Sequence, residues 1–217
     1  MDAKELIARR VAREVRPGSL VNLGIGLPSM VANFVPAGLG VFFQAENGVI
    51  GLGARPPEGM EDRHLTDAGG GFVTAVPGAA SIDSAMSFGL IRGGHLDMTV
   101  LGGLQVDEAG HLANWKVPGK MVPGMGGAMD LVTGAARVIV AMQHAAKGQS
   151  KIVPKLTLPL TALRRVDLIV TELAVIEPTD AGLVLREHAP GVSLDEIIAA
   201  TEAALIIQGD VPEMMLI

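Results

Sequence analysis

Short apolar runs, each closed by glycine, proline or an abrupt polar turn, constrain this chain more than any other feature. Leu20–Leu23 runs into Gly24-Ile25-Gly26, and Val41–Ala45 ends at Glu46-Asn47-Gly48. Met98–Leu101, Arg137–Met142, Val166–Val170 and Leu183–Leu185 are further runs of the same kind. Runs this short, bounded by breakers, read as buried strands. Between them the apolar period changes to that of helices. Asp2 can cap a first helix carrying Ala3, Leu6, Ile7, Val11 and Val15, which Pro17-Gly18 ends. A short helix is expected over Pro28–Phe34, stopped by Pro36-Ala37-Gly38. Others are expected over Ser81–Phe88 and Met129–Thr133. Ser193-Leu194-Asp195-Glu196 is a capping box opening a last helix that runs to Ala204. Residues 51–71 read as a loop, Phe72–Val76 as a strand, and Asp107-Glu108-Ala109-Gly110 as a hairpin turn. Strands alternate with helices, and no linker, repeat or low-complexity segment interrupts them. The expectation is one α/β domain over residues 1–217, a mixed and mostly parallel sheet flanked by helices.

Composition removes whole classes of function. With 49% hydrophobic and 18% charged residues the 217-residue chain is not disordered. A net charge of −6 argues against a phosphate-backbone binder, and a 3% aromatic share argues against a base-stacking platform. No nucleic acid partner is expected. The absence of cysteine removes disulfides, thiolate nucleophiles and Cys-ligated metals, and fits a reducing, cytoplasmic setting. The mean hydropathy is positive. No run of about 18 apolar residues is present to span a membrane. The opening MDAKELIARRVAREV lacks the apolar stretch of a signal peptide. The hydropathy then reflects either a buried parallel sheet or an obligate interface, and composition leaves both open.

Three segments could carry chemistry. Gly24-Ile25-Gly26-Leu27-Pro28-Ser29 after a strand imitates a dinucleotide fingerprint, with Glu46 near the place of the ribose-binding acid. Ser29 replaces the third glycine, and Pro36 cuts the following helix short, so a tight turn or an anion-facing helix start reads better. Gln44-Ala45-Glu46-Asn47-Gly48 puts a carboxylate on a sharp turn at the carboxyl edge of a strand. Ligands bind at that edge in open α/β sheets, and a carboxylate there can act as a nucleophile. A solvated Glu in an Asn-Gly turn gives the same pattern. In Pro118–Asp130 the glycines allow backbone amides to converge as an anion or oxyanion pocket, and a packed loop is the alternative. The remaining groups read as ordinary. His64, His95, His111, His144 and His188 show no metal spacing, and no metal site is expected. Asp107, Glu108, Glu172 and Glu177 read as solvated turn acids. Arg9, Arg10, Arg13 and Arg16 read as a solvated helix face. Ser29, Ser81 and Ser84 lack a nucleophile elbow.

Together these strings resemble the family I coenzyme A transferases. Gln44-Ala45-Glu46-Asn47-Gly48 followed by Gly51-Leu52-Gly53 is similar to their Glu-Asn-Gly motif, and Leu23-Gly24-Ile25-Gly26-Leu27-Pro28 to their N-terminal turn. Ile91–Asp97, Ala113–Lys120 and Gly124–Leu131 also match, and the likeness runs from the first helix through Ala189-Pro190-Gly191-Val192. It is strongest to the B subunits of the 3-oxoacid type, and the 3-oxoadipate and butyrate–acetoacetate enzymes share these motifs. Asp67-Ala68-Gly69-Gly70-Gly71 and Ser84–Phe88 depart from the pattern in regions that could line the acyl pocket.

The resemblance implies a CoA-transferase that moves CoA between an acyl-CoA and a carboxylic acid, such as a 3-oxoacid with succinyl-CoA as donor. It implies Glu46 as the nucleophile and the Gly127 amide as an oxyanion donor. It places Gly24, Gly26, Asn47, Gly48, Gly126 and Ala128 around the substrate. Coenzyme A is then a substrate, and no cofactor is expected. The family's second half supplies a CoA-binding loop and a further oxyanion donor, so a CoA-transferase A subunit is expected as partner, in a heterotetramer. A sugar-phosphate isomerase on a similar fold and a non-catalytic ligand-binding domain are the competing readings. The first lacks the phosphate-binding company around Glu46.

Overall fold

A computed structural model describes residues 1–119 and 125–217. Its centre is a ten-stranded sheet. In chain order the strands are β1 (Leu20–Leu23), β2 (Phe42–Ala45), β3 (Val49–Leu52), β4 (Ala75–Ser81), β5 (Met98–Leu101), β6 (Arg137–Ala141), β7 (Leu168–Val170), β8 (Ala174–Thr179), β9 (Gly182–His188) and β10 (Leu205–Ile206). Across the sheet they lie in the order β10-β9-β8-β7-β6-β5-β1-β2-β3-β4. The middle, from β7 through β6, β5 and β1 to β2, is parallel. On either side of it lie antiparallel hairpins, β2–β3–β4 on one and β7–β8–β9 on the other. The α/β class with a mixed, mostly parallel sheet is therefore what the chain forms.

Both faces of the sheet are covered, which is why its central strands are buried and mostly apolar. Helix α1 (Ala3–Ala12) and the 3₁₀ turns around Pro28–Phe34 cover one face, where Ile7, Val11, Val21, Val31, Val100 and Ile139 pack. Helices α2 (Ser84–Arg92), α3 (Ala128–Gly134) and α4 (Leu194–Ala200) lie with the other face, over Ile91, Leu131, Val138, Ile169, Ile176 and Ile197. Local chemistry sets the helix starts. Asp2 accepts from the Glu5 amide, Asp83 from the Met86 amide, and the Ser193–Glu196 capping box closes in both directions. No helix among the described residues is long and apolar enough to cross a membrane.

Several expectations are corrected. The first helix stops at Ala12 and the last at Ala200, both short of their expected ends. Pro28–Phe34 is 3₁₀ and is followed by a second 3₁₀ turn, Ala37–Leu39. The expected loop 51–71 begins inside β3, and the expected strand Phe72–Val76 is displaced to β4. Pro77 and Gly78 disguise β4 as a turn. It is an edge strand, where a missing amide costs no ladder bond. Strand β8 is hidden in the sequence because Glu177-Pro178 breaks its apolar run.

The solvated charges also need correction. Arg10 is buried, clamped by Glu187 through two bonds of 2.6 and 2.7 Å and by Glu14 at 2.6 Å. Asp107 is buried and accepts from the amides of Ala109 and His111. Glu108 accepts from the Ala204 amide, and Glu172 from the His144 amide. These acids satisfy backbone donors; Asp107 is buried, and Glu108 and Glu172 are half-buried.

Candidate active site

Glu46 sits at the carboxyl edge of β2, in the turn that leads into β3. Ala45 pairs with Val49 across the hairpin, and the Gly48 amide donates to Ala45 O at 3.0 Å to close it. Gly48 cannot be another residue here. Its φ is +117°, and a Cβ would lie 2.1 Å from the Ile82 carbonyl oxygen. The turn that Gly48 closes is therefore rigid, and it holds Glu46 half-buried on the wall of a cavity of about 940 Å³.

A ladder of buried polar side chains runs beneath that carboxylate. Thr99 on β5, Asn22 on β1 and Gln44 on β2 are direct register neighbours. Thr99 Oγ1 donates to Asn22 Oδ1 at 3.2 Å, which fixes the amide so that Nδ2 faces the other way. Nδ2 then donates toward Gln44 Oε1 (2.9 Å), Gln44 O (3.1 Å) and Glu46 Oε2 (3.3 Å). Gln44 Nε2 donates to Ser87 Oγ on α2 at 3.0 Å. All four supporting side chains are buried, and each is paired. Residues taken one at a time do not show this ladder. Its signal in the sequence is a polar residue inside each of three very short apolar strands.

From the far side of the chain, the start of α3 closes on Glu46. A Cβ on Gly127 would stand 3.2 Å from Glu46 Cγ, and one on Gly126 would stand 3.7 Å from Oε1. Backbone thus lies directly against the carboxylate. Among the described residues no acceptor takes the buried Gly127 amide. Ala128 opens α3 and is buried. Lys120–Gly124, part of the glycine-rich run, lie outside the described residues.

The other expected site residues divide. Gly24 and Gly26 line the cavity with Glu46. Asn47 and Gly48 are not among its lining residues. Asn47 Nδ2 donates to Thr66 O at 2.9 Å and ties the hairpin to a flap over residues 65–73. In that flap Thr66 bridges Phe72, and the Asp67 amide donates to Gly71 O at 2.8 Å. The flap's Asp67–Val73 face roofs the cavity, and its Gly69 abuts Ile25.

The family model for coenzyme A transferase matches residues 4–200 of this sequence. The chain belongs to the coenzyme A transferase family. It is 56% identical over 217 residues to the beta chain of the acetate CoA-transferase of Haemophilus influenzae, covering 100% of this chain and 97% of that one. It is 50% identical over 201 residues to the B chain of the succinyl-CoA:3-ketoacid coenzyme A transferase of Helicobacter pylori, covering 92% and 97%. Among solved structures, an acyl-CoA transferase apoenzyme of Escherichia coli O157:H7 superposes with a TM-score of 0.80 at 26% identity. The alignment takes in 99% of this transferase chain but only 43% of that one.

Proposed function

We propose that this chain is the B-type half of a CoA-transferase that uses Glu46 as a covalent nucleophile. The observation that carries the reading is the Glu46 carboxylate on a rigid turn at the cavity wall, with Asn22 on one oxygen and the Gly126–Gly127 backbone against the other side. A carboxylate so held attacks the carbonyl of an acyl-CoA. CoA leaves as thiolate, and a mixed anhydride of Glu46 remains. The thiolate then attacks the Glu46 carbonyl and expels the acyl group as a free carboxylate, leaving a glutamyl-CoA thioester. An acceptor carboxylate attacks that thioester and releases CoA thiolate, which attacks the acceptor's acyl carbon and regenerates Glu46. Each half-reaction ends with one product gone, so the kinetics are ping-pong. The Gly127 amide donates to the oxygen that becomes negative, a role typically worth about 2.7–4 kcal/mol. Coenzyme A is a substrate throughout, and the scheme calls for no metal or redox group.

The substrates proposed are a 3-oxoacid such as acetoacetate and succinyl-CoA or a similar donor, in line with the name of the Helicobacter pylori relative. The relatives are named as beta or B subunits, which supports a second polypeptide, an A-type partner, for this chain. The solved relative, more than twice as long, is consistent with one. We take the assembly to be a heterotetramer, with interfaces on the order of 2,000 Å² or more.

The test is mass spectrometry of the reconstituted complex after mixing with acyl-CoA. A CoA adduct on the peptide containing Glu46, lost in Glu46→Gln, is the expected result. Undiminished transfer by Glu46→Gln refutes the mechanism.

A further inference from the structure

Glu46 and Arg55 lie toward opposite ends of the β2–β3 hairpin. Ala45 pairs with Val49 beside Glu46. Past β3, Gly53 and Ala54 are pinned to Thr74: the Gly53 amide donates to Thr74 O at 2.7 Å, and the Thr74 amide and hydroxyl donate to Ala54 O at 2.9 and 2.8 Å. Arg55 follows at once, so its backbone is anchored there. Both residues line the same cavity, and the wall between them is apolar, with Val35, Val41, Phe43, Leu52 and Val76. Among the described residues the only other charged group on the lining is Asp67, whose Oδ1 already accepts from the amides of Gly69 and Gly71 at 2.8 Å each. Among the described residues Arg55 enters no ion pair.

We propose that Arg55 is a specificity residue that holds a second, remote carboxylate of the acyl substrate. This rests on the transfer reaction and the succinyl-type donor proposed above, and adds the residue that reads the far carboxylate of such a half-thioester. An acyl carbonyl placed at Glu46 directs its chain along the apolar wall, where methylene groups are well accommodated. A tail ending in a methyl group leaves the guanidinium without an anion. A tail ending in carboxylate meets a planar fork that can bind both oxygens at once. The length of hairpin between the two residues then sets the preferred chain length.

The experiment uses the complex of this chain with its A-type partner. Succinyl-, glutaryl- and adipyl-CoA are compared with butyryl-, valeryl- and hexanoyl-CoA, with acetate as acceptor. Arg55→Gln is expected to raise KM at least tenfold for one or more of the dicarboxylic thioesters. Their kcat, and both constants for the monocarboxylic series, stay within about twofold, and Arg55→Lys recovers part of the loss. An equal loss in both series overturns the proposal and assigns Arg55 to coenzyme A itself. No loss in either series also overturns it. A second readout needs no turnover: calorimetry of free glutarate and adipate against valerate and hexanoate on the Glu46→Gln complex, with and without Arg55→Gln. A preference for the diacids that vanishes with Arg55 supports the assignment, and its absence overturns it. A wild-type complex that transfers CoA while Arg55 is indifferent sinks this proposal alone. A wild-type complex that transfers none sinks the reaction and this donor class with it.

Discussion

Asn22 donates from Nδ2 to Oε2 of Glu46 at 3.3 Å, reaching from the middle of one strand to the turn after its neighbour. Because Thr99 holds Oδ1, the amide cannot flip without breaking that bond. Asn22→Ala strips partners from Thr99, Gln44 and Glu46 together, and leaving buried groups unpaired costs about 1–3 kcal/mol. A lower melting temperature and a reduced kcat are expected. Asn22→Asp is the sharper test. It replaces the amide donor that faces Glu46 Oε2 with a like-charged acceptor of the same shape, so repulsion moves the Glu46 carboxylate out of its position. Turnover should fall at least about tenfold, or ~1.4 kcal/mol, although the side-chain volume is kept. Turnover equal to wild type would show that Asn22 does not act on Glu46.

Gly127→Ala tests the other side of the same carboxylate. The new Cβ would stand 3.2 Å from Glu46 Cγ and 3.5 Å from Cδ, tight against a side chain that can rotate. Glu46 should yield and leave its productive position. Turnover is expected to fall at least about tenfold, or ~1.4 kcal/mol, with the melting temperature close to wild type. A tenfold loss accompanied by an equally large loss of stability would place Gly127 in the fold rather than in the chemistry.

The turn that carries Glu46 was legible because a local rule governs it: an apolar run stopped by Glu-Asn-Gly has few conformations, and Gly48 takes one that other residues cannot. Leu20–Leu23 and Met98–Leu101 were legible for the same reason, and the strands keep those bounds. What stayed hidden depends on strand order. Asn22 and Thr99 are single polar interruptions until β1 is seen between β5 and β2. Arg10 reads as surface because its neighbours are arginines, and its partner Glu187 lies 177 residues away. The approach of Gly127 to Glu46 was expected from the resemblance, since spacing cannot bring together residues so far apart in sequence.

The Arg10 cluster yields a stability prediction. Glu14 accepts from Arg10 and from Arg137 at 2.6 Å each. Burial pushes the Glu14 carboxyl up, but the Arg10 hydrogen bond and the Arg137 charge together hold it below the usual range. Arg10→Leu leaves Glu187 and Glu14 facing the space the guanidinium filled. Removing one partner of a fully buried pair typically costs about 3–5 kcal/mol; Glu187 and Glu14 keep some solvent and Glu14 keeps Arg137, so a loss at or below the low end, about 3 kcal/mol, is expected here. Denaturant melts should show a loss of that order, with Arg10→Lys intermediate because lysine cannot bind Glu187 through a fork. A melt unchanged by Arg10→Leu would mean that the cluster is solvated in solution.

His144 sets how this stability depends on pH. Its side chain is fully buried, with ring nitrogens 3.0 Å from Thr171 Oγ1 and 2.9 Å from Thr201 Oγ1. Burial disfavours the imidazolium and lowers its pKa from 6.5 to about 4. The unfolded chain therefore takes up a proton at a pH where the folded chain does not. Stability from this residue is complete above about pH 6.5 and drains away as the pH falls toward 4, by an amount on the order of 3 kcal/mol. Glu14, whose pKa is lowered by its ion pairs, loses its own contribution as the pH falls through the ordinary carboxylate range and below it. Urea melts at pH 7.5, 6, 5 and 4.5 should show the loss beginning well above the carboxylates. In His144→Gln, which keeps polar contact with the two hydroxyls, the slope between pH 6.5 and 5 should flatten. An unaltered slope would assign that pH dependence to other groups.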